Sequence, residues 1–172
     1  MFVRSWAALL FALLVTAGFA SAQSTVPVNP TVAPLSLDEA WTVIQGGSTY
    51  ATAHGFRLSF AIVDVAGHTI LAARMDGAAF GTLPFSEGKA YASAAAGGLN
   101  GAQLIERYRA EPWIWGNAAV MAGNGPMLPG AGTFPIKRSG TLIGAVAVSG
   151  AGPNDDDAAA LAGLAAADLR SQ

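Results

Sequence analysis

The residues of this chain best able to do chemistry are two histidines, a lysine inside an alanine-dense run, and an arginine beside a methionine. His68 falls in a glycine-containing turn and His54 near the end of a helical stretch. Either imidazole could serve as a ligand to iron. Equally, His68 could be a solvated turn residue, and an imidazolium at position 54 would suit the negative end of a helix dipole. Lys89, in partly apolar surroundings, could act as a base, form an imine or hold an anion, unless it is a plain surface lysine. The fork of Arg74 suits a carboxylate, although Asp64 or Asp76 could pair with it instead. Asp64 precedes the turn, where it serves either as a turn-forming carboxylate or as an acid or base. The chain has no cysteine, which excludes disulfides, thiolate zinc sites, iron–sulfur clusters and a cysteine nucleophile together. Asp155, Asp156 and Asp157 lie about 100° apart on a helix and cannot converge on one ion, so they are expected to cap it.

The elements that must position these groups can be read from periodicity and punctuation. Ser36 and Glu39 form a capping box, and Leu37, Trp41, Ile44, Ser48 and Ala51 make one helical face that continues to about Ala53. Leu58 to Asp64 and Thr69 to Met75 flank Val65-Ala-Gly-His68 as an antiparallel hairpin. Ser86 to Ala96 reads as a helix stopped by Gly97-Gly98, and Asn100 caps a short helix through Tyr108. From Pro112 to Pro135 the prolines and glycines suggest a long irregular segment with one short strand near Ala118 to Ala122. Its Trp113, Trp115, Met121 and Met127 are suited to a core, a subunit contact or a cofactor wall. Phe134 to Arg138 and Thr141 to Ser149 form a second hairpin around Ser139-Gly140. A final helix runs from Ala158 to Leu169. The expected fold is α+β, an antiparallel sheet of about five strands covered by helices.

Composition narrows the class further. The 172 residues include 52% apolar and only 12% charged residues, with 21 glycines and a net charge of -2, so a packed core is expected and disorder is not. Nine Lys plus Arg give no basic stripe for nucleic acid. Residues 1–22 carry one early positive charge, a short apolar run from Trp6 to Thr16 and the small residues Ala20-Ser-Ala22. This pattern predicts a secretory signal peptide and a periplasmic or secreted protein with no membrane span after cleavage. Residues 23–35, with Pro27, Pro30 and Pro34, read as an extended arm, and residues 36–172 as the domain.

Three stretches together resemble the HbpS/GlcG-like haem-binding family, which also supplies the C-terminal domain of PduO-type cobalamin adenosyltransferases. They are Ser59-Phe-Ala-Ile-Val-Asp64-Val-Ala-Gly67-His68 running into Ala73-Arg-Met-Asp-Gly77, then Ser86-Glu-Gly-Lys89-Ala90, and finally Gly132 to Ile136 with Gly140 to Ala151. The match spans about Leu37 to Ala167, while Gly130 to Pro135 departs from the family's shorter G-G-x-P loop. The resemblance implies a profilin-like sandwich, self-association into dimers or octamer-like rings, and haem as a cofactor. Arg74, Met75, Lys89, Phe134, Pro135 and Ser149 are the ligand-binding candidates, with His68 or His54 at iron. The rival expectation is an enzyme acting on a small carbonyl or hydroxy acid, with Lys89 and Asp64 as catalytic residues and Arg74 as carboxylate anchor. A third reading is an assembly module with a vestigial pocket.

Overall fold

The computed structural model describes residues 32–121 and 125–172, so the expected signal peptide and most of the arm lie outside the described residues. Nine elements follow in order: α1 Leu37–Ala53, β1 Ser59–Asp64, β2 Thr69–Arg74, α2 Thr82–Ala95, α3 Gly101–Ala110, α4 Pro112–Met121, β3 Thr133–Arg138, β4 Thr141–Ser149 and α5 Pro153–Ala166. The strands form one antiparallel sheet in the order β2-β1-β4-β3. The α+β architecture therefore stands, with four strands among the described residues instead of about five.

The missing strand is the one expected near Ala118 to Ala122. Its described part is the end of α4, and Ala122 lies outside the described residues. Pro112 at the first helical position has the φ a helix start requires, and a run lacking alternation gives a strand no buried face to register on. The other differences are at helix ends. α2 begins at Thr82, one turn ahead of Ser86, and α5 begins at Pro153.

Alternation along the strands sends large and small residues to opposite faces of the sheet. Phe60, Ile62, Val146, Val148 and Ile136 face the layer made by α1 and α5, where they pack with Val43, Ile44, Ala159 and Leu164. Ala61, Val63, Ala145 and Ala147 face the other way, against Ala90 and Ala94 of α2. With little more than methyl groups on this second face, α2 lies close to the sheet. That proximity brings Lys89 within reach of the backbone beneath it.

Both helix-start signatures read from the sequence are formed. The Ser36–Glu39 and Asn100–Gln103 capping boxes close reciprocally on α1 and α3. The second hairpin turns at Ser139 and Gly140, both with positive φ, as a two-residue turn between twisted strands requires. Leu35 at the end of the arm is buried, and Arg138 donates to the carbonyls of Ala33 and Pro34 while pairing with Glu39. The last residues of the arm thus belong to the domain.

Candidate functional site

Lys89 is buried beneath α2 and all of its hydrogen-bond donors are engaged. Nζ donates to the carbonyl of Ala131 at 2.6 Å, to the carbonyl of Val148, and to Oδ2 of Asp156 at 3.5 Å. Asp156 is buried too and accepts from the Ala151 amide at 3.0 Å, while Asp157 accepts from the Gly132 amide. Two of the three aspartates expected to cap the last helix thus turn inward, and the N-cap position, Gly152, makes no side-chain cap. Burial pushes the Lys89 amine down from its ordinary range, against the pull of Asp156 and Asp157. It also pushes the Asp156 carboxyl up, against its bonds to Ala151 and Lys89. For both groups desolvation outweighs attraction, so the pair organises the Gly130–Thr133 loop and adds little net stability. No donor of Lys89 is left for a ligand.

The remaining ligand candidates do not converge on one point. Arg74, Ser59 and Ser149 form one cross-strand row, so their side chains share the α2 face. Ser59 Oγ lies 2.7 Å from Thr82 Oγ1, and Arg74 Nη1 donates to the Ala78 carbonyl. Ser149 Oγ is buried with no partner among the described residues. Met75 packs against the larger core, and its sulfur accepts from the Leu58 amide at 3.4 Å. Phe134 packs on the same large core, while Pro135, one residue on, faces α2. Both lie on β3, at the sheet edge opposite Arg74, so Arg74 and the Pro135 loop cannot share a small ligand.

The two histidines occupy opposite ends of the first hairpin. His54 ends α1, its Nδ1 lies 2.8 Å from the Tyr50 carbonyl, and its ring stacks on Tyr50 at 4.1 Å, with Phe56 at 6.4 Å. A carbonyl can only accept, so Nδ1 carries a proton, and Nε2 has no hydrogen-bond partner among the described residues. Arg57 lies close by, with its Nη1 donating to the Phe56 carbonyl. His68 is mostly exposed, with Nδ1 3.4 Å from Oδ2 of Asp64, whose Oδ1 accepts from the amides of Ala66 and His68. Asp64 is therefore the turn-forming carboxylate.

Sequence reasoning missed the Asp156 and Asp157 contacts and a cleft beside Glu87 and Tyr91. The scarcity of charge says only that a lysine in an alanine helix must find a carboxylate or reach water; it does not say which carboxylate. Among the described residues no group of three or more His, Asp or Glu side chains could hold a metal ion. No described helix is long and apolar enough to cross a membrane.

The model of the family described as "Haem degrading protein HbpS-like" matches residues 35–165, and the chain belongs to that family. A PduOC:heme complex superposes with a TM-score of 0.72 at 20% identity, covering 81% of this chain and 99% of that one. HbpS gives 0.67 at 25% identity over 78% of this chain and 90% of that one. A double mutant of Streptomyces reticuli HbpS gives 0.66 at 25% identity over 94% and 97%. No curated protein matches the chain.

The buried pair gives the first prediction. Lys89→Met and Asp156→Asn should each lower unfolding free energy by about 3–5 kcal/mol in chemical denaturation. The double variant should cost clearly less than the sum of the two, because each single change leaves the other charge buried and unpaired.

Proposed function

We propose that this protein binds haem at the surface formed by the end of α1 and the start of β1, with His54 as the iron ligand. One observation carries the assignment: the ring of the exposed His54 is held by the Tyr50 carbonyl and the Tyr50 stack, with Nε2 unpartnered among the described residues. Such a second partner on the far nitrogen is the usual way an imidazole ligand is oriented and made more basic. The donor set fits the group, since haem needs an imidazole, apolar or aromatic contact and a cation for its propionates. Tyr50 and Phe56 supply the contact, and Arg57 the cation. The haem partner in the PduOC complex and the family description support the same ligand. When bound, haem supplies a redox-active iron; the residues here bind and orient it.

His68 is the second reading for the iron ligand, favoured by its pairing with Asp64. The donors of Lys89 are all taken by Ala131, Val148 and Asp156, which weighs against the enzyme reading with Lys89 as base. The apolar run and small residues of 1–22 support export to the periplasm or beyond, where haem handling or redox defence would be its task. On α4, Trp113 is 82% and Val120 78% exposed, a face suited to contact with another copy in a dimer or larger ring.

Hemin added to purified protein should give a red-shifted Soret band, and His54→Ala should weaken binding by at least tenfold, about 1.4 kcal/mol. His68→Ala should leave the band intact. The reverse pattern moves the ligand to His68, and a band insensitive to both changes overturns the histidine assignment. Light scattering after size exclusion should give a multiple of the chain mass that falls in Trp113→Lys; a monomeric parent protein would sink the assembly reading. N-terminal sequencing of material recovered outside the cytoplasm should begin at Gln23, and an uncleaved chain retained in the cytoplasm counts against export.

A further inference from the structure

The turn of the first hairpin and the exposed side of α2 enclose a cleft of about 250 Å³ that the haem reading does not use. Its walls include Val63, Thr69, Pro84, Glu87, Tyr91 and Pro126. Glu87 and Tyr91 stand four residues apart on one face of α2, whereas Lys89 lies about 200° round from Glu87 and is buried on the sheet side.

Two glycines build the cleft. Gly67, with φ +82°, lets the turn lie against the Tyr91 ring, where a Cβ would come within 2.4 Å of Cδ2. Gly88 meets the 126–128 segment, where a Cβ would come within 3.0 Å of the Pro126 carbonyl and where the Leu128 amide donates to the Gly88 carbonyl. Both walls are thus seated on α2 by backbone contact, so the cleft is preformed.

Its chemistry is one-sided. Among the described residues no lysine or arginine lines it, and none of the salt bridges engages Glu87, a half-buried carboxylate. A carboxylate beside an aromatic ring in a concave site is the arrangement that recognises an ammonium group, through an ion pair and contact with the ring. Thr69 offers a hydroxyl acceptor at the same wall. The volume lies below the roughly 300–1,000 Å³ of drug-sized sites, which limits the occupant to a short chain.

We propose that this cleft binds a small primary alkylammonium ion, with Glu87 as counter-charge and Tyr91 contacting the alkyl chain. The site is separate from the haem surface and its charge excludes propionates. Calorimetric titration of the purified protein with n-butylammonium, 1-butanol and butyrate tests it, since the three probes differ little in shape. Butylammonium should bind at least about tenfold more tightly than either of the others. Glu87→Gln should lose at least that factor, and Tyr91→Leu a smaller one, with circular dichroism unchanged. Equal binding of the three probes, or no heat from butylammonium up to about 10 mM, overturns the proposal on the parent protein alone, whatever the variants do. His54→Ala should bind butylammonium as the parent does, which separates this site from the haem surface.

Discussion

A single buried ammonium ties the molecule together. Lys89 reaches from α2 to a β4 carbonyl, a loop carbonyl and an α5 carboxylate, and so joins four parts of the chain at one atom. Because desolvation dominates the titration of both Lys89 and Asp156, the tie contributes less to stability than to geometry. The geometry is then imposed on neighbouring residues. A Cβ at position 130 would come within 2.6 Å of Lys89 Cδ, and one at 132 within 2.4 Å of the Val148 carbonyl and 2.8 Å of Asp156 Cβ. Positions 130 and 132 are therefore glycine because Lys89 fills the space at the first, and the Val148 carbonyl and Asp156 that it ties together fill the space at the second.

That lysine can reach the backbone of β4 only because the sheet is asymmetric. Its α1/α5 face carries Phe60, Ile62, Val146 and Val148, large side chains that hold the helices away and supply most of the apolar burial. Its α2 face carries alanines that add little burial but let a helix approach closely. The abundance of small residues thus has a structural purpose: it gives up hydrophobic area on one face for a close contact that a buried cation and two glycine-seated loops require.

Much of this was legible in the sequence wherever a local rule dominated. The capping boxes at Ser36 and Asn100, the Ser139-Gly140 turn and the alternating runs of both hairpins are decided by residues a few positions apart, and each formed where the pattern put it. α4 was misread because proline and glycine punctuation outweighed a short apolar run whose helical character has no polar face to reveal it. The roles of Lys89, Asp156 and Asp157 were hidden for a different reason. The partners lie about 67 residues apart, and no local pattern says that an N-terminal helix aspartate will turn toward the core. The same holds for the candidate sites. Arg74 and Ser149 were named together and do share a row, whereas Pro135 was grouped with Arg74 although the strand order puts them at opposite edges.

The first hairpin separates two kinds of charge. Its strands are six residues long, so its ends stand about 17 Å apart. At one end Arg57 and Arg74 stand at the entry to β1 and the exit from β2, with Asp76 two residues beyond; at the other, Asp64 shapes the turn and Glu87 lines the cleft. In a chain with only 12% charged residues, the two arginines at the first end outnumber Asp76, whereas no lysine or arginine stands with Glu87 among the described residues that line the cleft. This bias would add to the contacts proposed for each ligand, His54 and Arg57 at one end and Glu87 with Tyr91 at the other, and favour an anionic macrocycle and a small cation at different ends. The separation also exceeds the roughly 10 Å over which exposed charges interact at 0.1 M salt, so occupation of one end should leave the field at the other almost unchanged.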